Sequence, residues 1–160
     1  MRDLVRVVFV CALFAGLAGC DGCVRGEPIR IVDRVWVTNL PDDPRAPMKI
    51  LWIFDMGDAE HIGGYIIGSQ YRNRHERFRF HAMGEGVGRI ELLQDNQVHR
   101  VRATKCEPPE GFDLCMELLG DPTARTGATD GEGGRRYYSR EEWERDAADG
   151  EPDIAVLLAD

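Results

Sequence analysis

The chain has 160 residues, of which 43% are hydrophobic and 30% charged, and its formal net charge at pH 7 is −8. That length suffices for one hydrophobic core and hardly for two. Residues 107–160 hold 5 basic and 15 acidic side chains, an excess that argues against nucleic acid or anionic lipid as the target, since both would be repelled.

The first twenty residues have the features of a cleaved targeting segment. Arg2 and Arg6 accompany an apolar run from Val7 to Leu17, which is too short for a membrane-spanning helix of about 20 residues. The run ends in the four residues Leu17-Ala18-Gly19-Cys20. This arrangement resembles the signal peptides of bacterial lipoproteins.

The resemblance implies that residues 1–19 are removed and that Cys20 receives a diacylglycerol and a further acyl chain such as palmitate. Two or three acyl chains give stable anchoring, whereas one is only marginally retained. We therefore expect a domain attached to a membrane of the bacterial cell envelope and lying outside the cytoplasm. Whether that membrane is the inner or the outer one stays open.

Behind Cys20, the sequence predicts a mainly β protein, an antiparallel β-sandwich or small barrel of about seven strands. Residues 20–28 form a tether and 29–120 the β domain. The run Met48–Phe54 is apolar at nearly every position, so it should be a central strand covered on both faces. The other strands are expected at Ile29–Thr38, 62–68, 77–82, 89–93, 98–106 and 112–119.

The C-terminal part is expected to differ from the β domain. Residues 121–136 contain few apolar side chains and should be a flexible linker or loop. Ser139-Arg140-Glu141-Glu142 is a capping box, which predicts a short helix ending near Ala148. The apolar residues 153–159 should then dock on the β domain as an edge strand or short helix.

Cys106 and Cys115 are expected to form a disulfide, which suits a compartment outside the cytoplasm. In an antiparallel hairpin that places the two cysteines opposite each other, Ala103 faces Leu118 and Thr104 faces Glu117, so that polar and apolar faces agree across the pair. The preceding hairpin, with Asp95-Asn96 as a two-residue turn, would place Ile90 opposite Val101 and Glu91 opposite Arg100. The polar face then mixes Arg100 and Arg102 with Glu91 and Glu117, as a solvated sheet surface does.

One loop is a candidate metal site. Asp55, Asp58, Glu60 and His61 bring three carboxylates and an imidazole into one glycine-containing loop, and oxygen ligands at close spacing suit Ca²⁺. A hydrophilic hairpin loop explains the same residues more simply. The chain has only two serines, Ser69 and Ser139, and neither lies in the Gly-x-Ser-x-Gly pattern of a hydrolase.

The leading functional hypothesis is a non-enzymatic lipoprotein that interacts with another protein of the envelope, with no cofactor and no nucleic-acid partner. The alternative is a lipoprotein that carries a small ligand or Ca²⁺ in the barrel interior or at the Asp55–His61 loop. A hydrolase of cell-wall material is a third hypothesis, which needs paired carboxylates in a cleft.

Overall fold

The structure is a computed structural model that describes residues 27–57, 60–124, 134–145 and 149–157. The lipoprotein signal, Cys20 and most of the predicted tether lie outside the described residues. Within the described ranges, no helix is long and apolar enough to cross a bilayer.

The chain folds into a closed antiparallel barrel in which each strand pairs with the next and the last returns to the first. The prediction of a mainly β fold is therefore confirmed, with eight strands rather than about seven. Residues 135 and 136 of the predicted linker belong to the additional strand. The strands are β1 (Arg34–Val37), β2 (Met48–Asp55), β3 (Glu60–Gly68), β4 (Asn73–Gly84), β5 (Val87–Leu92), β6 (Val98–Cys106), β7 (Leu114–Leu119) and β8 (Arg135–Ser139).

Two apolar clusters stabilise the barrel, one inside it and one outside. The interior cluster includes Trp36, Leu51, Tyr65, Phe78 and Tyr137, because alternate side chains of each strand point inward. The outer cluster lies on β1–β3, where the C-terminal segment contributes Trp143 and Leu157. Seven consecutive residues of β2 are buried, as its sequence predicts, since it faces both clusters.

The two hairpins test the predicted registers. In β6–β7, Cys106 faces Cys115, Ala103 faces Leu118 and Thr104 faces Glu117, so the predicted register is confirmed. The β5–β6 register is wrong by two residues, since Ile90 faces His99 and Glu91 faces Val98. The turn contains four residues rather than two, because the Leu92 amide donates to the Gln97 carbonyl. A shift of two keeps every side chain on its predicted face.

The prediction of a C-terminal helix ending near Ala148 is wrong. At the predicted position the described residues form only a 3₁₀ turn, Glu141–Trp143, and residues 146–148 lie outside the described residues. Ser139 does not cap a helix, since its buried hydroxyl donates to the Val35 carbonyl across the β1–β8 seam. Within the predicted docking segment, residues Ile154–Leu157 form one helical turn, α1, with the Leu157 side chain buried in the outer cluster.

Candidate functional site

A pocket of about 620 Å³ lies at the end of the barrel where the described N-terminal residues lie. Residues 27–32 form one wall, His61, Phe80 and Ala82 form another, and the β4–β5 hairpin at 84–87 closes the third side. This volume lies within the range of about 300 to 1,000 Å³ that small-molecule sites occupy. The pocket borders the interior core, of which Ile31 and Phe80 are members.

Backbone and side-chain hydrogen bonds hold residues 27–32 across the barrel end. The Lys105 amide donates to the Glu27 carbonyl at 2.6 Å, and the indole nitrogen of Trp36 donates to the Ile31 carbonyl at 3.1 Å. The predicted strand from Ile29 to Thr38 is therefore shortened to β1, since residue 33 has a left-handed φ of 58° that ends the extended run. The segment forms a pocket wall because it does not pair along β2.

Two glycines, one in β5 and one in the β4–β5 turn, determine where the Phe80 ring and the hairpin lie in the pocket lining. A Cβ at Gly88 would lie 2.1 Å from the Phe80 ring, so only glycine lets that ring cross the strand. Gly86 has a φ of +63°, and its carbonyl accepts the Ala103 amide at 2.7 Å. This conformation brings the hairpin against Pro28, which a Cβ at Gly86 would contact at 3.0 Å.

Most of the lining is apolar, with a few polar groups. The His61 ring is buried, stacks on Phe80 at 5.8 Å between centroids, and has Nδ1 3.3 Å from Oδ1 of Asp55. That contact lacks hydrogen-bond geometry, so Nδ1 is buried without a hydrogen-bond partner among the described residues. Glu27, Glu85 and the exposed Arg30, which pairs with Asp33, complete the polar part. An apolar cavity with a few polar groups suits an amphiphilic small molecule.

Of the four candidate Ca²⁺ ligands, three belong to the described residues: Asp55, Glu60 and His61. His61 points into the barrel, whereas the preceding residue of β3, Glu60, is exposed. The Glu60 Oε1 atom lies 3.8 Å from Nδ1 of His81. Alternation along a strand separates neighbouring side chains in this way. Asp55 accepts the Gly57 amide at 2.8 Å, and Asp58 lies outside the described residues. No group of three or more acidic, histidine or cysteine side chains in the described ranges could hold a metal ion.

The opposite end of the barrel contains a buried carboxylate that sequence reasoning missed. The Asp121 side chain is 1% exposed and accepts hydrogen bonds from the Tyr137 hydroxyl at 2.8 Å and the Thr123 hydroxyl at 2.6 Å. Lys49 and Arg135 lie 3.7 and 3.3 Å from the same carboxylate. Residue 121 was predicted to begin a flexible linker, yet residues 121–124 cover this end of the barrel interior.

Burial changes the proton affinity of three groups in this network. Desolvation lowers the pKa of Lys49 from 10.5 to about 8, with Asp121 acting in the opposite direction. Desolvation raises the pKa of Tyr65 and of Tyr137 well above 10, and the Asp121 carboxylate contributes to both shifts. A lysine within the apolar run of β2 was the one sequence signal that could have indicated the network.

The structure contains the predicted Cys106–Cys115 disulfide, with the two Cα atoms 4.9 Å apart. It joins β6 to β7 near the barrel end that carries the pocket. Comparison of the chain with family models, with curated proteins and with solved structures finds no match.

Proposed function

We propose that the chain is a lipid-anchored lipoprotein of the bacterial cell envelope whose barrel binds a small amphiphilic molecule. The observation that carries this proposal is the 620 Å³ pocket, with an apolar lining and His61 at its wall. The sequence alone favours a protein-interaction module, whereas the pocket supports binding of a small ligand. A protein partner in the envelope stays a prediction.

The anchor places the pocket close to the bilayer surface. Glu27, the first described residue and part of the pocket wall, follows Cys20 by seven residues. A chain of that length spans at most about 25 Å. A lipid-attached Cys20 would therefore hold the pocket within reach of molecules that leave or enter the membrane, which supports an amphiphile rather than a water-soluble polar metabolite.

The proposal is one of binding without catalysis. The His61–Asp55 pair resembles part of an acid–base arrangement, but neither serine of the chain can act as its nucleophile. Ser139 is fully buried in the β1–β8 seam, and Ser69 lies in the β3–β4 turn, where its hydroxyl accepts the Arg72 amide. A ligand carrier needs neither residue.

The test is ligand-dependent melting with a matched pair of variants. Decanoic acid and anilinonaphthalene sulfonate serve as probes, because each combines an apolar body with an anionic end. A ligand at 100 times its Kd stabilises the folded state by about 2.7 kcal/mol. Ala82→Phe fills the pocket and should abolish the shift, whereas Ala155→Phe adds the same ring to the exposed surface of α1 and should not.

Equal stabilisation of both variants, or none of the parent protein by either probe, would contradict the proposal. Native mass spectrometry of protein purified from membranes gives a second readout. A bound amphiphile should be present in the parent protein and in Ala155→Phe and absent from Ala82→Phe.

A further inference from the structure

Four exposed arginines lie together on the outer face of β4, β5 and β6, which we call the arginine face: Arg79, Arg89, Arg100 and Arg102. Arg89 stands directly opposite Arg100 in the β5–β6 register. Like charges in such a position destabilise an antiparallel pair. None of the four forms an ion pair with any described residue, although eight pairs between a lysine or arginine and a carboxylate occur in those ranges.

Two acidic side chains lie on the same surface, and both also contact other groups. Glu91 stands opposite Arg79 in register, and its carboxylate lies 3.8 Å from Nε2 of His81, a residue of the same face. Glu117 accepts the Gly134 amide at 3.1 Å. Four arginines against two carboxylates leave this surface with a net positive charge.

The C-terminal acidic residues do not neutralise the arginine face. Trp143 and Leu157 pack on the outer face of β1–β3, and Glu151 pairs with Arg77 of β4 at 2.8 Å. None of the described carboxylates of this segment pairs with one of the four arginines. The net negative charge of the whole chain therefore does not describe the charge of this face.

The path of the N-terminal residues relates this face to the membrane. Pro28 forms a bridge with Thr104, two residues beyond Arg102 on β6. The chain that leads back to Cys20 thus leaves the barrel at the wall that carries the arginines. A tether that starts here begins beside the arginine face, so that this face can reach the bilayer.

We infer that the arginine face docks on the anionic phospholipid headgroups of the membrane to which the protein is anchored. This inference rests on the lipid anchor proposed above, since the anchor supplies the proximity. The face then fixes which side of the barrel is turned to the bilayer and keeps the pocket near it.

The experiment measures co-sedimentation of the non-acylated Cys20→Ser chain, residues 20–160, with vesicles. Phosphatidylcholine vesicles are compared with vesicles of equimolar phosphatidylcholine and phosphatidylglycerol. If each of the four arginines raises the association constant about fivefold, half-maximal binding is expected near 1 mM anionic lipid at low salt. Arg89→Gln with Arg100→Gln should lower the association constant about thirtyfold. Arg45→Gln with Arg72→Gln removes the same charge from exposed loops and should change it less than threefold.

Three results would overturn the inference: no preference for phosphatidylglycerol, equal losses in the two double variants, or arginine-dependent binding to polyglutamate without binding to vesicles. The last would indicate an acidic protein as the partner. Mass analysis of Cys20 in the native protein is a separate measurement. An unmodified Cys20 would refute the lipoprotein proposal and leave the vesicle result unchanged.

Discussion

Replacing Asp121 by asparagine should destabilise the barrel by about 3 to 5 kcal/mol, the cost of removing one partner from a buried ion pair. The substitution keeps the shape of the side chain and one carbonyl oxygen, which can still accept from Thr123. It replaces the second oxygen, which accepts the Tyr137 hydroxyl at 2.8 Å and faces Lys49 and Arg135, by an amide that donates. The almost fully buried Lys49 and the partly exposed Arg135 are then left without their carboxylate.

The assay is urea unfolding of the whole protein, followed by circular dichroism and tryptophan fluorescence. For a domain of this size, the expected loss corresponds to a fall in Tm of roughly 10 to 20 °C. Asp95→Asn is the matched control, since Asp95 is exposed and its acceptor role toward the Gln97 amide survives the change. That variant should stay within about 0.5 kcal/mol of the parent protein.

A double variant separates charge from packing. Lys49→Met in the Asp121→Asn background removes one of the stranded cations and should recover about 2 kcal/mol. A loss below 1 kcal/mol for Asp121→Asn, or no recovery in the double variant, would refute the view that this carboxylate compensates buried positive charge.

Three further predictions concern pH, the disulfide and the anchor. Because burial lowers the pKa of Lys49 to about 8, the unfolded chain binds more protons between pH 8 and 10.5, and the free energy of unfolding should rise from pH 8 to 10 by about 2 kcal/mol. The rise should be absent from Lys49→Met, and above pH 10 the raised pKa values of the two buried tyrosines should lower stability again. Cys115→Ala should cost about 2.7 kcal/mol by opening the loop closed by the bridge, and an unchanged melt under oxidising conditions would contradict this. Cys20→Ser should release the protein from membranes, and pelleting after an alkaline wash would count against the anchor.

Features that depend on strand alternation were predictable from the sequence. Matching polar and apolar faces limited β6 and β7 to registers that differ by two residues, and the expected disulfide selected the one that places Cys106 opposite Cys115. The same reasoning predicted a β5–β6 register that is wrong by two residues, because a two-residue shift leaves both faces intact. There the turn decides the register, and Asn96, with a φ of 56°, helps to form a longer loop than the sequence suggested.

The candidate sites depend on contacts between distant parts of the chain, which alternation does not predict. Lys49 and Asp121 are 72 residues apart and meet only because the barrel closes. The pocket wall, residues 27–32, crosses the barrel end instead of extending β1, and the Trp36 side chain that binds it lies inside the barrel. Ser139 has the sequence context of a helix cap, but its hydroxyl donates to the Val35 carbonyl across the β1–β8 seam.

That seam has a consequence for how the barrel opens and folds. β1 and β8 share a single register pair, Val37 with Tyr138, whereas β3 and β4 share nine. Amide hydrogens near the seam should therefore exchange with solvent sooner than those of β3, through local opening rather than global unfolding. Since the seam joins strands about a hundred residues apart, its closure carries a large loop entropy and should be a late, slow step of folding.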